Sequence, residues 1–160
     1  MRCARRKPQK DSPDAKKILQ LVQKLEHKGY HFEAAEASFE ILMRRALRKL
    51  GKFFELEGFR VTTEKQSNRR ITTEAIIKLR IKGKREQTVS MGEGPVNALD
   101  NALRKALKDY YPTLSKMRLT DFKVRVLDEK SGTAAKVRVL IQSEDAKNSW
   151  STIGVSENII

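Results

Sequence analysis

A short pattern occurs twice in this chain. Phe59-Arg60-Val61 returns as Phe122-Lys123-Val124, and at nearly the same interval Gly92-Glu93-Gly94 has a counterpart in Gly154-Val155-Ser156. A chain that repeats itself in this way builds one supersecondary unit twice, since each copy has the same face to bury. In the first copy Phe54 and Leu56, then Phe59, Val61 and Thr63, alternate at period two and predict a strand bent or bulged at Gly58. Ile77, Leu79 and Ile81 predict a second strand ending at Gly83, and Gln87, Val89 and Met91 a third. Pro95 then suits a helix start, and Val96, Leu99, Leu103, Ala106, Leu107 and Tyr110 form an apolar face up to Pro112.

The order strand, strand, strand begins again over Leu119–Leu127, Ala135–Ile141 and Trp150–Val155. Ser156 to Ile160 falls where a second helix would start, so that helix reads as truncated, leaving an apolar sheet face in want of a cover. Ahead of the repeat, Ile18, Leu21, Val22 and Leu25 make a helical stripe with Asp14 at the N-cap position and Gly29 at its end. Ala35, Phe39, Leu42, Ala46 and Leu50 make another, with Gly51 as its stop. The expected fold is α+β: a basic, disordered tail over residues 1–14, a helical linker hairpin over 15–51, and two pseudo-symmetric βββα units over 52–160.

Charge and composition narrow the function. The chain has 34 Lys and Arg against 20 Asp and Glu, a net +14, which first suggests nucleic acid. Seven of those cations lie between Arg2 and Lys17, and others alternate with apolar residues along strands, as on the solvated face of a sheet. The 160 residues fall short of the roughly 250 of a (β/α)₈ barrel. No apolar run approaches the roughly 18 residues of a membrane span, and the basic start leads into no apolar segment of a secretory signal. Cys3 is the only cysteine, as in a chain of the reducing cytoplasm.

Chemistry-bearing residues are sparse. His27 and His31 are four apart, but Gly29 separates them and no Cys or acidic cluster completes a metal set. Cys3 sits in the basic tail without a fixed base beside it. Neither a catalytic nor a metal site is expected. The Gly92-x-Gly94-Pro95 turn is a candidate anion site, because backbone N–H groups and the helix dipole converge there, and a Val at Gly94 is expected to crowd that entrance.

The stretches GYHFEAAEASFEILMRRAL (29–47), EGPVNALDNALRKAL (93–107), LTDFKVRVLD (119–128), GTAAKVRVLI (132–141) and WSTIGVSENII (150–160) resemble the C-terminal regulatory domain, an allosteric dimerisation domain, of the citramalate synthase and 2-isopropylmalate synthase family. The resemblance implies a parent acyltransferase of branched-chain amino acid biosynthesis whose separate barrel condenses acetyl-CoA with a 2-oxo acid, using a divalent metal. This chain would hold no cofactor. It would be the regulatory fragment, dimerising and binding isoleucine or leucine as feedback inhibitor between the two βββα units.

Carried onto this sequence, the effector wall falls on Leu119, Phe122 and Val126, faced by Thr133, Ala135 and Val137 and closed by Glu157 and Ile159. Phe122 stands where the family commonly has Tyr, and Met91-Gly92-Glu93 replaces Glu-Gly-Asn. The stretch GYHFEAAEASFE favours a citramalate synthase, hence pyruvate and isoleucine. The alternative is a basic α+β nucleic-acid-binding module, which would stack bases on exposed aromatic residues. Phe59, Phe122 and Tyr110 fall on positions expected to be buried, which opposes it.

Overall fold

The computed structural model describes residues 12–65, 67, 71–127 and 135–158. Along the chain, helices α1 (Pro13–Glu26) and α2 (Glu36–Ala46), joined through a 3₁₀ turn at Phe32–Ala34, precede strands β1 (Glu55–Lys65), β2 (Ile71–Ile81) and β3 (Lys84–Gly92). Helix α3 (Pro95–Leu107) follows, and then strands β4 (Arg118–Val126), β5 (Val137–Glu144) and β6 (Ser149–Ser156). The described residues divide into two compact units, one within 52–117 and the other made of residues 12–51 with those described between 118 and 158.

In the unit of residues 52–117 the first three strands make an antiparallel sheet in the order β1-β2-β3, followed by α3. The bulge foreseen at Gly58 is present as a register shift between Leu56 and Gly58. Ala75, Ile77, Leu79 and Ile81 of β2 are buried beneath α3. The helix presents Ala98, Ala102 and Ala106 to that core, with Leu99 and Leu103 half-buried beside them, while Val96 is exposed. Three alanines one turn apart let the helix lie close to the sheet, close enough for the Thr88 hydroxyl to donate to the Ala102 carbonyl at 2.7 Å.

The other unit draws on both ends of the described chain. Its strands form a second antiparallel sheet in the order β4-β5-β6, and α1 and α2 belong with them. The first helix starts earlier than expected: Ser12, not Asp14, is the cap, its hydroxyl accepting from the Ala15 N–H at 3.2 Å with Pro13 just inside. Helical residues thus enter the stretch assigned to a disordered tail. α2 also stops earlier, at Ala46 rather than near Gly51, because Arg48 takes a left-handed backbone (φ 53) and the Lys49 N–H closes onto the Arg44 carbonyl.

The two sheets repeat one another in register. The second carries its own bulge, between Leu119 and Asp121, at the place that the Leu56–Gly58 bulge holds in the first. Phe59 lies opposite Ile77 and Phe122 opposite Ile141; Val61 lies opposite Ala75 and Val124 opposite Val139. In the third strands Ser90 faces Ala75 and Gly154 faces Val139. Gly154 is therefore the counterpart of Ser90, and Gly92, opposite Thr73, that of Ser156, opposite Val137. The duplication holds, but the pairing of Gly92 with Gly154 is displaced, and Gly154 lies inside a strand instead of at a helix entrance.

Candidate functional site

Directly opposed residues of antiparallel strands share a face. By that register Leu119, Phe122, Val124, Val126, Val137, Val139, Ile141, Ser143, Trp150 and Thr152 lie on one face of the second sheet. Its counterpart in the first sheet is the face that α3 covers. The edge strand of each sheet is open on this face, Phe122 and Val126 in β4 as Phe59 in β1, but the central strand differs: Ile77, Leu79 and Ile81 of β2 are buried under α3, whereas Val137, Val139 and Ile141 of β5 are only half-buried. The result is an apolar face whose edge strand is open to solvent.

The opposite face is occupied by the helical hairpin. Arg138 of β5 donates from Nε to the Gly29 carbonyl at 2.6 Å, with Nη1 3.3 Å from His31 Nδ1. Gly29 adopts φ 102, and a side chain there would collide with Leu127 Cδ1. From β6 the Ile153 N–H donates to the Ser38 hydroxyl of α2 at 2.9 Å. As a set Arg138, Gly29 and Ser38 leave no mark in the sequence, because their contacts join residues distant along the chain and no local periodicity encodes them.

Leu119, Phe122, Val126 and Val137 are brought together on the open face, and Ala135 is buried at the start of the same strand run. Glu157 is exposed, its carboxylate 3.6 Å from Lys136 Nζ. Thr133 and Ile159 lie outside the described residues. At the expected anion turn, the Glu93 N–H is already held by Asn97 Oδ1 at 3.2 Å. The crowded glycine there is Gly92, where a Cβ would meet the Ala98 backbone; Gly94 has open space around it, contrary to the expectation for Gly94. A shallow concavity of ≈ 410 Å³ on the first sheet is lined by Glu57, Gly58, Phe59, Arg60, Ile76, Lys78 and Gln87, none of them an expected effector residue. Among the described residues no group of three or more His, Cys, Asp or Glu could hold a metal ion, and no helix is long and apolar enough to cross a membrane.

Residues 33–160 match the LeuA allosteric (dimerisation) domain. The chain belongs to this family. As a LeuA-type domain it is 48% identical over 150 residues to an (R)-citramalate synthase of Aquifex aeolicus, and 52% identical over 149 residues to one of Geobacter sulfurreducens. These alignments cover 93% and 92% of the chain and 28% of each relative. An (R)-citramalate synthase of Sulfolobus acidocaldarius is 38% identical over 157 residues, 96% of the chain and 28% of the relative. The LeuA-type domain thus spans little more than a quarter of the length of these relatives.

In this domain Phe59 and Phe122 are exposed, not buried as expected, so aromatic exposure alone does not exclude nucleic acid. The distribution of charge argues against it. On the second sheet Lys123, Arg125 and Arg138 lie on the face opposite Phe122, Val124 and Val126, so that sheet does not interleave cations with stacking rings.

Proposed function

We propose that this chain is the regulatory part of an acetyl-CoA-dependent 2-oxo acid condensing enzyme of the citramalate synthase type, binding isoleucine or leucine as feedback inhibitor and joining two copies as a homodimer. The observation that carries the reading is the match of over nine-tenths of the chain to citramalate synthases, in a family named for allostery and dimerisation. The barrel that would bind a divalent metal and acetyl-CoA belongs to the parent enzyme. Residues 52–160 would be the allosteric domain and 15–51 the linker leading into it.

The open face of the second sheet suits a branched aliphatic side chain. Leu119, Phe122, Val126 and Val137 present apolar surface there without a competing charge. An effector acts by binding one conformation better than another, so a ligand seated on this sheet would move the parent enzyme toward a less active population. Isoleucine and leucine differ by one methyl position, worth about 1–3 kcal/mol in an apolar slot.

Calorimetric titration with isoleucine and leucine in parallel tests the proposal. Saturable binding is expected, weakened about tenfold in Phe122→Ala, equivalent to about 1.4 kcal/mol. If neither amino acid binds and a single-stranded oligonucleotide does so with steep salt dependence, the regulatory reading fails and the nucleic-acid reading replaces it.

A further inference from the structure

The hairpin-facing side of the second sheet holds an arrangement that packing does not explain. Arg125 and Arg138 are directly opposed across β4 and β5. Like charges at opposed positions repel, with Cβ atoms about 5 Å apart. Carboxylates elsewhere in this unit are engaged by other cations: Asp121 by Lys123, Glu144 by Arg118, and Glu157 by Lys136. Among the described residues neither Arg125 nor Arg138 has a carboxylate partner.

Arg138 is half-buried. Burial first, and Arg125 second, hold its pKa below the usual guanidinium range. A guanidinium has five N–H donors. Arg138 commits Nε to the Gly29 carbonyl and one Nη1 donor toward His31, leaving its others for a further partner. Because arginine can only donate, His31 Nδ1 is the acceptor of that contact. No buried side-chain nitrogen or oxygen among the described residues lacks a partner, so the uncommitted donors are open to solvent and to a ligand.

We infer that Arg125 and Arg138 form a binding site for a small oxyanion, a phosphate or carboxylate group, on the face of the second sheet that meets the helical hairpin. Paired guanidiniums match such a group with charge-assisted, fork-like hydrogen bonds. An anion between them would turn the cross-strand repulsion into two attractions. Since Arg138 also holds Gly29, occupancy would tighten the α1–α2 connection onto β5. The site lies on the face opposite Phe122 and Val126 and does not depend on the effector proposal.

The test follows the arginine Nε–Hε resonances by NMR while inorganic phosphate or, separately, acetate is added to the whole chain at constant ionic strength. Saturable shifts at Arg138 and Arg125 are expected. Arg125→Gln, at an exposed position, should lower the affinity about tenfold, and Arg138→Lys, which keeps charge but loses the fork, should lower it too. Arg60→Gln on the first sheet should change nothing. A response to phosphate alone assigns a phosphate ligand; a response to acetate assigns a carboxylate-accepting site. Absence of a saturable response to either anion, or undiminished affinity in Arg125→Gln, overturns the inference.

Discussion

Arg48 ends α2 in a conformation that an L-residue with a Cβ adopts at a cost of roughly 1–2 kcal/mol. Glycine has no such cost, so Arg48→Gly is expected to raise the denaturation midpoint by an amount equivalent to about 1 kcal/mol, with an unchanged m-value. The cation lost there interacts with the C-terminal end of the helix dipole for only a few tenths of that. Lys82 carries the same left-handed backbone (φ 48) ahead of Gly83 (φ 83) in the β2–β3 turn, where Asn-Gly would be the preferred pair. That turn was legible in the sequence, since Gly83 marks it. The end of α2 was not, because the true stop is an arginine, and nothing in the local pattern distinguishes it from Arg44 or Arg45. The apolar alternation of β4 was legible, and an effector role for its residues is what the family resemblance implies. Arg138 was not legible, because its partners arrive only with the tertiary fold.

At the scale of elements, α3 shows how small residues set a packing distance. The predicted apolar face included Ala106 and Leu107, both buried in the core, but not Ala98 or Ala102, which complete the stripe against the sheet, while Leu99 and Leu103 flank it half-buried. Gly92 belongs to the same close approach, because a Cβ there meets the Ala98 backbone, which cannot rotate away as a flexible side chain would. Gly92→Ala is therefore expected to destabilise the protein by about 2 kcal/mol, as overpacking does. Gly94→Ala, at a helix N-cap with open space and an extended backbone (φ −163), should cost under about 1 kcal/mol. Urea unfolding of the two variants side by side checks the ordering; equal losses would mean that the helix entrance, not the close approach, limits stability. The helix also guards the sheet edge: Asn101 Nδ2 and Lys105 Nζ donate to the Met91 and Val89 carbonyls of β3 at 3.1 and 3.2 Å.

For the whole molecule, acid is the condition that acts on both units at once. Asp145 turns the β5–β6 hairpin by accepting the Lys147 and Asn148 backbone N–H groups, each at 2.8 Å, and these hold its pKa below the usual carboxylate value. In the other unit, desolvation pushes the Glu57 pKa up, but hydrogen bonding and charge from Arg85 and Arg80 outweigh it and leave the carboxyl lowered. A group whose folded pKa is depressed contributes stability above its unfolded value, near 4 for these carboxylates, and loses it as pH falls through the folded value. Both units should therefore hold a level thermal midpoint from pH 7 to about 5 and weaken below about pH 4. In that same window protonation of the carboxylates raises a net charge that already stands at +14, so self-repulsion adds to the loss. Asp145→Asn keeps an oxygen acceptor for the two N–H groups but removes its titration, and it should make the acid limb of the second-sheet unit alone shallower. The remainder comes from Asp121, whose pKa the Lys123 ammonium holds low. Sodium chloride at 0.3 M, about twice physiological ionic strength, should recover part of the midpoint at pH 3.5 by screening the repulsion. A midpoint that falls in acid equally in both proteins and is indifferent to salt would assign the sensitivity to burial of other groups instead.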